Sequence, residues 1–134
     1  MRQMQESRAC FRFQWNGNRS SGLMGAAGVA LAAASAHAAP GAGLDSAGYL
    51  LLFHAPAVLA LALAHQQGLL LRPLGLIAAA AFVLGATLFA GDLALRAFAG
   101  SRLFPMAAPA GGLILILGWL LVAAAAVRTL MRLL

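Results

Sequence analysis

Charged residues are scarce in this chain of 134 residues. They make up 9% of the sequence, whereas hydrophobic residues make up 63%. An ordinary soluble domain is roughly a quarter charged. With so few charges the chain cannot cover a globular fold with polar surface, which argues against a soluble domain.

Cysteine is nearly missing and lysine is absent. The one cysteine, Cys10, cannot form an internal disulfide, and no second cysteine beside it supports a zinc site. All nine basic residues are arginine, against three acidic residues, which gives a net charge of +6. Because the arginines lie between or outside the apolar runs, they indicate membrane topology before they indicate a partner. No nucleic-acid-binding fold signature accompanies them, so nucleic acid is not expected as a partner.

Four apolar runs make up most of the remaining sequence. They predict membrane-spanning helices at about 21–38, 48–65, 74–97 and 111–128. Each is close to the roughly 20 residues that a helix needs to cross a bilayer. We therefore predict an all-α fold over residues 21–134, a polytopic bundle of four transmembrane helices with short loops in contact with the lipid bilayer. Residues 1–20 are predicted to form a basic cytoplasmic segment that carries the aromatic residues Phe11, Phe13 and Trp15.

Local signals predict where helices begin, bend and end. Asp45 and Ser46 are expected to cap the second helix. Pro56 should bend that helix, because proline removes a backbone donor and clashes with the preceding turn. Pro73 is expected to open the third helix, where proline is tolerated, and Gly100 to follow its end.

Arginine distribution predicts the orientation. Four spans place seven arginines on one side of the membrane and two, Arg96 and Arg102, on the other. The positive-inside rule then puts both termini in the cytoplasm. The abundance of alanine and glycine without lysine is typical of a high-GC bacterial genome, so the location we predict is a bacterial inner membrane.

The first apolar run has a second interpretation. It ends in Ala36-His37-Ala38, a small-x-small triplet of the kind after which signal peptidase cuts, which suggests an export signal. Cleavage would leave three helices without changing the side on which any loop lies, so charge bias does not decide the question. The glycines at every third position favour a retained helix, because small residues let neighbouring helices approach closely.

Small residues in two of the runs predict the helix contacts. The helix-packing residues that we predict are Gly22, Gly25, Gly28, Gly111, Gly112, Gly118 and Trp119. Trp119 lies deep in the fourth run and should pack between helices, with its indole N–H bonded to a carbonyl or another polar group.

A polar cluster is predicted in the outer half of the bundle. Counting about 1.5 Å per residue along each helix places His37, His54 and Asp92 in that half, and Arg96 joins them as the residue four positions after Asp92. The favoured interpretation is structural: Asp92 pairs with Arg96 four residues on, and the histidines bond to carbonyls or to each other. A second interpretation makes His54 and Asp92 titrating groups of a proton or ion path. A metal or haem site is a third, but no paired-histidine spacing supports it.

Catalytic motifs are missing as well. The serines have no nucleophile elbow around them, and no glycine-rich phosphate loop is present. We therefore expect no enzyme activity, cofactor or metal. The leading function is a non-enzymatic structural, accessory or assembly component that acts through helix contacts, in a membrane complex or a homo-oligomer. The alternative is a small oligomeric transporter or channel that uses His54 and Asp92.

Five short motifs, in order, resemble the four-helix membrane family known as domain of unknown function 423. They read Ala36-His37, Phe53-His54-Ala55, Phe89-Ala90-Gly91-Asp92, Pro109-Ala110-Gly111-Gly112 and Gly118-Trp119. The resemblance extends over about residues 22–127 and implies that the first helix is retained. It implies no activity. Asp92 stands where the family has a small hydroxyl residue, and Pro56 interrupts the second motif, which indicates a different polar core.

Overall fold

The fold is made of helices alone within the described part of the chain. A computed structural model describes the backbone of residues 2–70 and 72–133, and their side chains except at positions 2, 3, 5–7, 9–11, 13–15, 72, 132 and 133. The four α-helices are α1 (Arg2–His37), α2 (Leu44–Gln66), α3 (Arg72–Ala99) and α4 (Ala107–Leu133). The predicted all-α fold with short connections is confirmed.

The helix ends agree with most of the local signals. Pro73 is the second residue of α3, and Gly100 follows the helix with a φ of 65°, a left-handed conformation that glycine adopts without steric cost. The predicted cap of α2 is wrong. Its N-cap is Gly43, with a φ of 76° and no side-chain hydrogen bond, and Asp45 lies in the first turn. There its charge complements the helix dipole.

The helix α2 continues through Pro56 without interruption. Whether the proline bends the axis stays a prediction. The boundary predicted at residue 20 lies inside α1, so the basic N-terminal segment and the first apolar run share one helix.

The helices form two hairpins that join along their inner members. In the described residues α1 packs on α2, α4 packs on α3, and α2 packs on α3, whereas α1 touches α3 only lightly. Within the same described residues the backbones of α1 and α4 do not meet. The bundle is therefore open, with α2 and α3 at its centre and α1 and α4 on its flanks.

Each hairpin is held by a crossing of two glycines. A Cβ atom on Gly28 would lie 3.0 Å from the carbonyl oxygen of Gly48, and one on Gly48 would lie 2.9 Å from that of Gly28. In the second hairpin a Cβ on Gly111 would lie 2.7 Å from the oxygen of Gly85. Real Cβ atoms do not come this close, so both crossings require glycine. Close backbone approach is how helices gain packing energy in lipid, where burial from water contributes nothing.

Among the residues that the structure describes, three helices are long and apolar enough to cross a membrane: Leu44–Gln66, Pro73–Ala99 and Ala107–Met131. The predicted first span, residues 21–38, forms the second half of α1, where most apolar side chains are those of alanine. Alanine dominates the interior too, since many of the buried hydrophobic residues are alanines, whereas large apolar side chains such as Leu84, Ile116 and Leu120 are exposed. This inverted distribution suits a lipid environment.

Candidate functional site

The centre of the bundle holds an aromatic group that joins three helices. His54 of α2 is only 5% exposed. Its ring contacts Phe82 of α3 edge-on, with 5.1 Å between ring centroids, and Phe82 lies 4.8 Å from the ring of Trp119 in α4. We call His54, Phe82 and Trp119 the aromatic triad.

Both nitrogens of His54 are hydrogen-bonded. Nδ1 lies 2.7 Å from the carbonyl oxygen of Leu50, and Nε2 lies 3.2 Å from Nε1 of Trp119. A carbonyl can only accept and an indole N–H can only donate. His54 must therefore carry its proton on Nδ1 and accept at Nε2, which is the neutral imidazole. A second proton on Nε2 would face the indole N–H and break that bond.

Gly118 makes room for the aromatic triad. A Cβ atom there would lie 2.7 Å from Cε1 of Phe82. Two adjacent residues of α4 therefore make different contacts. Gly118 leaves space for the ring of Phe82, and Trp119 donates a hydrogen bond to His54. Trp119 was predicted to pack between helices, yet it is 50% exposed. Its N–H points inward while part of the indole faces outward.

Asp92 ties the end of α3 to the connection that follows it. The carboxylate is fully buried and forms an ion pair with Arg96 one turn later. Its other oxygen, Oδ1, accepts a 3.0 Å hydrogen bond from the backbone N–H of Leu103. Both oxygens are therefore engaged, as a carboxylate at this depth requires.

The four residues of the predicted polar cluster take three separate places. Asp92 and Arg96 bond to each other, the hydrogen bonds of His54 lead to Leu50 and Trp119, and His37 is exposed at the last position of α1. Depth along the helix axes suggested one cluster. Depth does not specify which face of a helix a residue occupies, and that face determines its partner.

The predicted packing glycines also differ in their surroundings. Gly28, Gly111 and Gly118 lie at contacts too tight for a Cβ, and Gly25 makes an ordinary contact at 3.9 Å. A Cβ atom built on Gly22 or on Gly112 would meet nothing within 4 Å. The sequence analysis predicted helix contacts at these two glycines only from their spacing, and in the structure neither glycine lies at a tight contact.

The sequence analysis did not identify Gly48 and Gly85, which are the partners of Gly28 and Gly111 at the two helix crossings. Each lies inside an apolar helix, where glycine costs about 1 kcal/mol relative to alanine and so indicates a packing reason. A hydrogen bond between helices was missed as well. The hydroxyl of Ser21 in α1 donates to the carbonyl of Ala55 in α2 at 2.8 Å. Small polar residues supply such bonds between membrane helices.

The remaining candidate residues are His65, possible metal ligands and residues of the N-terminal segment. His65, near the C-terminal end of α2, is buried. Among the described residues no three His, Cys, Asp or Glu side chains come close enough together to hold a metal ion. The side chains of Cys10, Phe11, Phe13 and Trp15, which the sequence analysis singled out, lie outside the described residues.

Within the described residues these features define a class: an all-α protein of four helices, three of them long and apolar enough to span a membrane, whose central histidine and aspartate bond to other parts of the chain. The chain belongs to the family of proteins of unknown function DUF423, whose profile matches residues 24–112. The family resemblance is thereby confirmed, over a shorter stretch than expected. The match includes both glycine crossings and Asp92, and it ends before Trp119. No curated protein and no solved structure matches the chain.

Proposed function

We propose that the chain is a multi-pass protein of a bacterial inner membrane and that it acts without catalysis, as a structural, accessory or assembly component that works through helix contacts. In this proposal the first helix is retained and both termini are cytoplasmic.

The observation that carries the proposal is the engagement of the polar groups at membrane depth. His54 uses both ring nitrogens to link Leu50 and Trp119. Asp92 uses both oxygens to hold Arg96 and Leu103. A proton or ion path needs polar groups that can change partners and take up charge. Here a change of partner at His54 would break its bond to α4, and one at Asp92 would break its bond to the α3–α4 connection, so these groups support a structural role.

The outer face of α1 supports action through helix contacts. Gly22, Ala26, Ala30 and Ala33 lie along α1 and are all exposed. Beside them an open apolar groove of about 410 Å³ runs between α1 and α3, with Leu51 among its lining residues. Faces of small residues let a second membrane helix approach closely. A helix of another protein or of a second copy could therefore pack on this face of small residues and in the groove beside it.

Charge supports the proposed orientation. The side of the membrane that holds the α3–α4 connection has only Arg96 and Arg102, whereas the side that holds both termini has seven arginines. Arg96 is already paired with Asp92. Excess arginine on the side of the termini is the pattern of cytoplasmic segments.

Cross-linking in the membrane followed by purification tests this function. A photoreactive residue at position 26 is expected to give a discrete adduct, either a second copy or another membrane protein, identified by mass spectrometry. Ala30→Leu should abolish the adduct, because the larger side chain holds the partner helix away. Ile116→Leu on the exposed side of α4 is the matched control and should leave it unchanged. A monomer without any adduct would overturn the proposal.

A further inference from the structure

A second pocket lies at the end of the α3–α4 hairpin where the two helices are connected, and unlike the first it contains charged side chains. It is open, has a volume of about 410 Å³, and is lined by Arg96 and Arg102. Apolar side chains of Phe89, Leu93 and Met106 form other parts of its wall. Two guanidinium groups therefore share one pocket with an apolar wall, in the region where a membrane helix meets the polar headgroups.

The charges of this pocket do not cancel. Asp92 neutralises one positive charge through its ion pair with Arg96. Arg102 adds a second positive charge, so the three groups together carry a formal charge of +1. A ligand with a single negative charge would balance the pocket. The phosphodiester of an anionic phospholipid carries that charge with no cation in its headgroup to offset it, and the planar fork of arginine matches two phosphate oxygens at once.

Arg96 also has a donor left over. Its Nε is buried and has no hydrogen-bond partner in the structure. A buried unsatisfied donor costs free energy, and the Arg96 side chain that carries it is 37% exposed, so its guanidinium can shift toward a ligand. On the same wall Met106 has a φ of 73°. A non-glycine residue in this left-handed region is strained, and such strain is concentrated at ligand sites.

We infer that Arg96 and Arg102 bind the phosphodiester of an anionic phospholipid, whose acyl chain lies along the apolar wall of the pocket. A soluble phosphate would leave that wall without a partner. This inference rests on the proposed membrane location and is independent of the accessory role. Asp92 then has a further consequence, since it fixes both Arg96 and the connection that carries Arg102.

Native mass spectrometry of the purified full-length chain in detergent tests the site. The protein is offered phosphatidylglycerol and phosphatidylcholine of equal chain length in equal amounts. We expect about fivefold more phosphatidylglycerol retained, since one arginine near the headgroups contributes about 1 kcal/mol. Arg102→Gln should remove the preference, and Arg102→Lys, which keeps the charge, should retain most of it. Arg128→Gln, an exposed arginine near the other end of α4, is the control and should retain all of it.

Two results would overturn the inference. One is an equal loss of preference in Arg102→Gln and Arg128→Gln, which would indicate attraction to surface charge in general. The other is displacement of phosphatidylglycerol by millimolar inorganic phosphate, which would indicate a site for soluble anions. Circular dichroism confirms that each variant is folded. Because the lipid is measured on purified protein, failure here leaves the cross-linking test of the accessory role intact.

Discussion

The indole N–H of Trp119 is hydrogen-bonded to Nε2 of His54 at 3.2 Å, although the backbones of their helices do not meet in the described residues. Helix α4 packs on α3 and reaches α2 only through side chains. Phe82 of α3 packs against the rings of both partners. The bond therefore connects a flanking helix to the centre of an open bundle.

Replacing Trp119 by phenylalanine should destabilise the protein by about 1 kcal/mol. The ring contact with Phe82 is preserved, but Nε2 of His54 loses its donor, and an unsatisfied buried acceptor costs about 1–3 kcal/mol. The lower figure is expected because hydrogen bonds between membrane helices average about 0.6 kcal/mol. Thermal or denaturant unfolding in detergent measures the change.

The control is the same substitution in a His54→Leu background. There the acceptor is gone, so Trp119→Phe should cost nothing further. Equal effects of Trp119→Phe in both backgrounds would show that the hydrogen bond does not contribute.

Alanine at two adjacent glycines should have opposite effects. Gly111→Ala places a Cβ atom 2.7 Å from the oxygen of Gly85, and such overpacking costs about 1–3 kcal/mol. Gly112→Ala meets nothing within 4 Å. It should be neutral or stabilising by up to about 1 kcal/mol, because alanine favours helix over glycine. Unfolding of the two variants under one set of conditions makes the comparison, and equal stabilities would contradict the α3–α4 crossing.

Asp92→Ser should release the connection between α3 and α4. The variant lacks the carboxylate that accepts the N–H of Leu103, so hydrogen exchange in residues 100–106 should become about tenfold faster, the effect of losing a hydrogen bond to a charged group. Arg96→Gln removes the ion pair and keeps that acceptor. It should therefore leave the exchange of Leu103 nearly unchanged. Fast exchange in both variants would mean that the ion pair, and not the hydrogen bond, orders the connection.

The helices could be predicted from the sequence, and their neighbours could not. Apolar run length and the residues Pro73 and Gly100 at the ends of α3 are local signals, so the bounds of α2, α3 and α4 follow within a few residues. The start of α1 does not, because that helix begins at Arg2 and extends through the polar N-terminal segment. The i,i+4 spacing of Asp92 and Arg96 is local as well, and their pairing followed from it. The bond between His54 and Trp119 joins residues 65 positions apart on helices without backbone contact. Rotation of α2 and α4 about their axes determines that bond, and no spacing within either helix specifies it.

The first helix is expected to stay in the mature protein. Its Ser21 and Gly28 make close contacts with α2 that cleavage after Ala38 would remove. Intact mass spectrometry of protein extracted from membranes should give the mass of a chain that still contains α1. An N-terminus at Ala39 would contradict the retained helix and leave the outer side of α2 without its partner.

Proton flux into proteoliposomes tests most directly whether the polar groups inside the bundle are structural. Vesicles that contain the purified wild-type protein and a trapped pH-sensitive dye receive a potassium diffusion potential that drives protons inward. We predict that they acidify no faster than protein-free vesicles of the same lipid, because His54 and Asp92 are held by bonds that proton transfer would break. Acidification above that background, abolished by His54→Ala and retained in Arg128→Gln, would contradict the structural role and establish a conducting path.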